Sequence, residues 1–329
     1  MSETITPTRQ KIEDRIVRYS ELNPCLDAFI DTRTPGSDQK ENFTIIGPGV
    51  SENPNQHVHI SEPHGFNIGG ARQPPGCTNS QHSHTTVEVF YVHSGQWRFD
   101  LGEHGEDAQT TLHPGDLISI PTNVFRGFTN TGDDTGYLWA VLGGDDPGRV
   151  LWAPRVFELA KEYGLVLLED GSLIDQNKGE QIPAGKNAMP VTSDVQIERL
   201  DRYDNEKLES CVIRSGSGKY RGEFQSLNGV EERRLIGIGQ IDWDHGFTLS
   251  EILIAKGAAI PEHHLNVKDV LFIDSGKVVC SIEDETTILS AGDTITFPIG
   301  ARRSLRNAGD IEARIVAVRG SDREARIEW

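Results

Sequence analysis

The chain has 329 residues, with 32 basic against 50 acidic side chains and a net charge of −18. The length suggests about two domains, and the acidic balance argues against nucleic acid or an anionic membrane as principal partner. Cys25, Cys77, Cys211 and Cys280 are too far apart for a disulfide framework. No apolar signal core and no run of about 18 apolar residues is found, so no membrane span is expected and a reducing cytoplasm is the default compartment.

In chain order, residues 1–42 read as an N-terminal helix and extension. Thr6 caps the helix, Pro7 occupies its first turn, Ile12, Ile16 and Tyr19 share a face, and Asn23-Pro24 stops it. From Phe43 short apolar runs alternate with turn residues, as 34 glycines and 16 prolines also suggest, so 43–150 reads as a β domain. Within it Gly76–Gly95 carries His82, His84 and Glu88. In one extended strand these three point the same way. Trp97, Phe99 and Leu101 alternate along a return strand. Residues 151–195 read as a helix from Pro154, with Val156, Leu159, Ala160 and Tyr163 on one face and Gly164 at its end, followed by a polar linker. Residues 196–329 read as a second β domain. Ser215-Gly216-Ser217-Gly218-Lys219 lacks a complete phosphate-loop pattern and reads as a turn.

The two β domains repeat one another. His64-Gly65-Phe66, Gly76 and His82 recur 181 residues later as His245-Gly246-Phe247, Gly257 and His263. Glu88 is matched by Asp269 and Gly95 by Gly276. The offset then becomes 177, with Gly115-Asp116, Pro121, Arg126 and Asn130 recurring as Gly292-Asp293, Pro298, Arg303 and Asn307. A loop shortened by four residues between Leu101 and His113 accounts for the change of offset.

Two imidazoles and a carboxylate on one face suit a divalent metal and leave positions open for water, substrate or oxygen. Arg126 cannot ligate a metal, since it stays protonated. It would either anchor a substrate carboxylate or pair with Glu88. The second copy offers a weaker set, His263, Asp269 and Arg303, with Leu265 where His84 would be and His264 out of phase. His57 and His59 share a strand face and suit a supporting role.

The spacing Gly76, His82-x-His84, Glu88, Gly95 resembles the first motif of the cupin superfamily. Gly115-Asp116, Pro121, Asn123, Arg126 and Asn130 are similar to its second, with Asn123 for a turn glycine and Arg126 for a ligand histidine. The resemblance implies an all-β protein of two cupin-like β-barrels (double-stranded β-helix, jelly-roll type) with short helical extensions. It implies one divalent ion in the first barrel, held by His82, His84 and Glu88, with Fe(II) expected and Mn, Ni or Zn as alternatives. The expected activity is dioxygenation of a small aromatic or enol-type acid, with Arg126 orienting an anionic substrate. A metal-dependent isomerase, decarboxylase or lyase is the alternative, and a non-catalytic, small-molecule-binding or storage-like bicupin is another. A homodimer is one expected assembly.

Overall fold

The structure, a computed structural model, describes residues 11–217, 222, 224, 226–237, 241, 243–320 and 325–329. The chain forms two compact units: Asn23–Gly218 with Ile238–Phe247, and Met1–Leu22 with Lys219–Gly237 and Thr248–Trp329. Each is a pair of antiparallel sheets. In the first unit the strands Leu117–Ile120, Glu88–Ser94, Gly136–Gly143, Phe66–Gln73 and Glu41–Ile46 lie in that order in one sheet. The other sheet runs Leu151–Trp152, Thr78–Ser83, Arg126–Asn130, Trp97–Leu101, Ala108–Leu112.

The second unit repeats this order. One sheet runs Thr294–Phe297, Asp269–Ser275, Ala313–Arg319, Thr248–Ile254, Val230–Ile236. The other runs Ile327–Glu328, Ala259–Leu265, Arg303–Asn307, Lys277–Ile282, Glu285–Ser290. Alternation along the strands fills each interior with apolar side chains. Phe90, Trp97, Phe99, Leu101, Ile118, Phe128 and Leu138 fill the first. Ile252, Leu271, Ile273, Val278, Leu289, Ile295 and Leu305 fill the second.

The two compact units divide near residues 22 and 218, and an arm lies before each division. Residues 11–22 do not form the expected single helix. They run as a 3₁₀ turn Ile12–Arg15, a strand Ile16–Val17 and a 3₁₀ turn Tyr19–Glu21; Thr6 and Pro7 lie outside the described residues. Ile16 and Val17 pair with Ile295 and Thr294, an edge of the second unit. Val212 and Ile213 pair with Ile118 and Leu117, the same edge of the first.

The two arms use the same contacts. Arg18 Nη1 donates to Asp293 at 3.0 Å and to the Ile288 carbonyl at 2.6 Å, and its Nη2 donates to Glu13 and Thr287 at 2.9 Å. Arg214 Nη1 donates to Asp116 at 3.1 Å and to the Thr111 carbonyl at 2.7 Å. Its Nη2 donates to Glu209 at 2.8 Å and Thr110 at 3.0 Å. Glu13, Ile16, Val17 and Arg18 thus correspond to Glu209, Val212, Ile213 and Arg214 at an offset of 196. The segment preceding each barrel in sequence closes the edge of the other barrel. Both edges would otherwise present unpaired backbone groups.

The helix Pro154–Glu162 forms as expected, with proline in its first turn and Val156 and Ala160 buried. Ser215 donates its amide to Asp116 at 2.8 Å, consistent with a turn; Gly218 and Lys219 lie outside the described residues.

Candidate metal centre in the first barrel

His82, His84 and Glu88 converge, their ligand atoms lying within 4.8 Å of one another, and all three are buried. They do not share one extended strand as expected. The strand Thr78–Ser83 carries His82; His84 follows it, and Glu88 opens the next strand after a reversal at residues 85–87. Asn123 lies opposite that reversal, donating its amide to the His84 carbonyl at 3.0 Å. Its φ of 60° is the left-handed geometry that asparagine tolerates in place of glycine.

The histidines are held neutral. His82 Nδ1 lies 2.7 Å from the Ser80 carbonyl, which only accepts, so Nδ1 carries the proton and Nε2 keeps its lone pair. Burial, with Arg126 adding to it, pushes His82 down to about 3 and His84 well below the usual imidazole range. His84 Nδ1 is buried without a hydrogen-bond partner, and its Nε2 stands 3.7 Å from Glu88 Oε2. Two neutral imidazoles beside a carboxylate make a donor set that fits a divalent cation.

Arg126 occupies the register position opposite His82, on the neighbouring strand. Its guanidinium is fully buried. Nη2 and Nε donate to Glu88 Oε2 at 2.8 and 3.3 Å, and Nη1 donates to the Val124 carbonyl at 3.3 Å. Burial raises Glu88 and the guanidinium opposes that rise. Of the two roles expected for Arg126, the pairing is the one formed. Arg126 is not among the described residues that line the pocket beside the site. The physical reason for the pairing is that a buried guanidinium needs its charge and donors satisfied locally, and Glu88 is within reach. Both bonds use Oε2, the oxygen that also faces His84 Nε2, so the donor set is two neutral imidazoles and a carboxylate shared with Arg126. That set fits a divalent ion.

A small pocket, with about 80 Å³ open to the centres of water-sized molecules, lies beside the three residues. Phe29, Phe43, Phe90, Phe128, Leu142 and Trp152 give it an apolar wall, and the three candidate ligands form its polar end. No lysine or arginine is among the described lining residues.

In the second barrel His263, Asp269 and Arg303 also come together, as an ion-pair chain. Arg303 Nη2 donates to Asp269 at 2.7 Å, Arg319 Nε lies 3.5 Å from Asp269 Oδ1, and Arg319 Nη1 donates to Glu232 at 2.7 Å. His264 faces away and pairs with Glu328 at 3.0 Å. His57 stays exposed, and His59 Nε2 accepts the Asn23 amide at 3.2 Å, so neither joins the metal cluster. Sequence reasoning missed Trp152, which packs on His82 with ring centroids 5.3 Å apart. The signal was present: Trp329 recurs 177 residues later and packs on His263 at 5.8 Å.

The Cupin domain family model matches residues 71–142 and again 250–319. This chain belongs to the cupin superfamily, with two cupin domains in tandem. The germin-like protein subfamily 1 member 4 of Arabidopsis thaliana is 27% identical over 151 residues, covering 43% of this chain and 67% of that protein. Among solved structures, the oxalate decarboxylase–formate complex of Lactobacillus farciminis superposes with a TM-score of 0.61 at 12% identity, over 97% of this chain and 89% of that one. Vicilin from Capsicum annuum gives 0.61 at 11% identity, over 96% and 88%. At such identities the structures speak to fold alone. No helix among the described residues is long and apolar enough to cross a membrane.

Proposed function

We propose that the first barrel is a metal-dependent active site for a small aromatic or enol-type acid, with dioxygenation as the reaction. The observation that carries this is the buried His82–His84–Glu88 cluster at the polar end of an apolar pocket. A divalent ion there, Fe(II) in this reading, supplies a Lewis acid or oxygen-activating centre. His82 and His84 contribute neutral nitrogens, and Glu88 contributes a carboxylate that it shares with Arg126. The Phe43, Phe90, Phe128 and Trp152 rings exclude water and favour a flat substrate. No cationic side chain is in the described lining, so an acid group on the substrate would meet the metal end or neutral donors such as the Asn42 amide.

A second reading is a small-molecule-binding barrel without catalysis. The Arg126–Glu88 pair favours it, because the repeated Arg303–Asp269 pair sits in a barrel that lacks the second histidine. The test is metal content per chain, followed by oxygen electrode and carbon dioxide measurements with phenolic and enolic acids and with oxalate. About one metal per chain and oxygen uptake with an aromatic or enolic acid is the expected result. Carbon dioxide release without oxygen uptake would replace dioxygenation with the decarboxylase alternative. Absence of bound metal after reconstitution would leave the binding reading.

A further inference from the structure

We infer that Glu52 is a positioning residue of the first-barrel site: its carboxyl clamps the two aromatic walls that hold His82 in place. Glu52 is buried and makes no ion pair among the described residues. Its two oxygens divide their work. Oε1 accepts the Trp152 indole N–H at 2.6 Å, and Oε2 accepts the Ile30 amide at 2.7 Å. Trp152 stands in register opposite His82 and packs on its ring. Ile30 follows Phe29, whose ring meets Trp152 edge-on at 5.9 Å, and both rings line the pocket. The backbone of Glu52 is fixed as well, donating to the Ala28 carbonyl at 2.8 Å and accepting the Leu173 amide at 3.2 Å.

A carboxyl placed in an apolar interior is costly unless its hydrogen bonds are made. Burial pushes Glu52 up to about 8, so at neutral pH it retains its proton and remains a neutral group. The second barrel shows what the clamp adds. Trp329 lies at the equivalent position against His263 but is 61% exposed, its described ring neighbours being His263 and Phe224. Trp152 is 1% exposed. The barrel with the metal cluster has the fixed tryptophan, and the barrel with the ion-pair chain has the loose one. His82 is held on one side by Ser80, which sets its tautomer, and on the other by Trp152, which sets its ring plane. Glu52 determines the second of these.

The inference rests on the reading of His82 as a ligand. The test uses the full chain, stripped of metal and titrated with Zn²⁺ in a calorimeter, for the wild type and Glu52→Leu, Glu52→Gln and Trp152→Phe. Loss of the clamp is expected to weaken Zn²⁺ binding about tenfold in Glu52→Leu and Trp152→Phe, in line with other supporting groups around ligand histidines. Glu52→Gln, which keeps an acceptor oxygen, should stay within about threefold of wild type. The Trp152 indole proton, identified by its absence in Trp152→Phe, should shift in the NMR spectrum as Zn²⁺ is added. Should Glu52→Leu fail to fold, the other two variants carry the comparison. Wild-type affinity in folded Glu52→Leu or in Trp152→Phe, or an indole signal that ignores Zn²⁺, overturns the clamp alone. A wild-type protein that binds no Zn²⁺ overturns the metal site and the clamp together.

Discussion

The two barrels share strand order, turn positions and an arginine opposite the first motif, yet their interiors have diverged at a few residues. In the first, His84 and Leu142 leave an apolar pocket ending in two imidazoles and a carboxylate. In the second, Leu265 and Arg319 occupy the corresponding positions. Arg319 links Asp269 to Glu232, so the charges Arg303, Asp269, Arg319 and Glu232 neutralise one another pairwise. The first interior balances one ion pair beside two neutral imidazoles, and the second links two ion pairs into a chain with one histidine.

The sharpest test of that contrast is the location of the metal. His82→Ala with His84→Ala is expected to abolish binding, taking metal content from about one per chain to none by elemental analysis. His263→Ala should leave it unchanged. Metal lost on replacing His263 would break the comparison.

The next largest effect is on stability. Asp269→Asn leaves Arg303 and Arg319 buried with half their compensation, and removing one member of such a group costs about 3–5 kcal/mol. Urea unfolding should show this loss with or without added metal. Glu88→Gln strands Arg126 in the same way, but it also removes a ligand, so its deficit relative to wild type should widen when metal is present. Equal metal dependence of the two variants would contradict the assignment of different tasks to the two barrels.

Arg126→His sharpens the comparison from the other side. It replaces a cation beside the ion with a nitrogen donor. Unit charges about 5 Å apart at an effective dielectric near 20 repel by roughly 3 kcal/mol, so Zn²⁺ affinity should rise by at least about tenfold in titration calorimetry. Weaker binding would mean that steadying Glu88 matters more than the repulsion.

Much of this was legible in the sequence. The spacing of His82, His84 and Glu88 and the two offsets defined the tandem barrels and the candidate ligands, because turn glycines and ligand positions tolerate little displacement. Other features were hidden for physical reasons. Arg126 could serve substrate or Glu88 equally well on paper, and the pairing with Glu88 appears only in the structure. The arms of 11–18 and 207–214 repeat over too few residues to stand out, and nothing local says that each closes the other barrel's edge. Glu52 sits in a polar loop with no periodic pattern, and its role depends on Trp152, 100 residues away. The Trp152–Trp329 match extends the 177-residue offset and was readable, but a single tryptophan pair gains meaning only when both are seen against a histidine.

The last prediction concerns pH, to which both barrels contribute. His245, which meets Ser119 at 2.7 Å in the first unit, and His263 in the second are each pushed down to about 4 by burial. A depressed histidine stays neutral in the folded state while its unfolded counterpart takes up a proton below about pH 6.5. Stability from these groups is therefore complete above about 6.5 and is lost as pH falls toward 4, at up to about 1.4 kcal/mol per pH unit for each. Glu52 acts in the opposite sense. Its raised value means the folded state holds a proton that the unfolded state has released, so its contribution is complete below about 4.5 and is lost as pH rises toward 8. The metal-free protein should be most stable near pH 6–7 in urea titrations across this range. Glu52→Gln should flatten the alkaline limb while leaving the acid limb intact, and His263→Asn should flatten part of the acid limb alone. An alkaline limb unchanged by Glu52→Gln would show that this carboxyl does not hold its proton in the folded barrel.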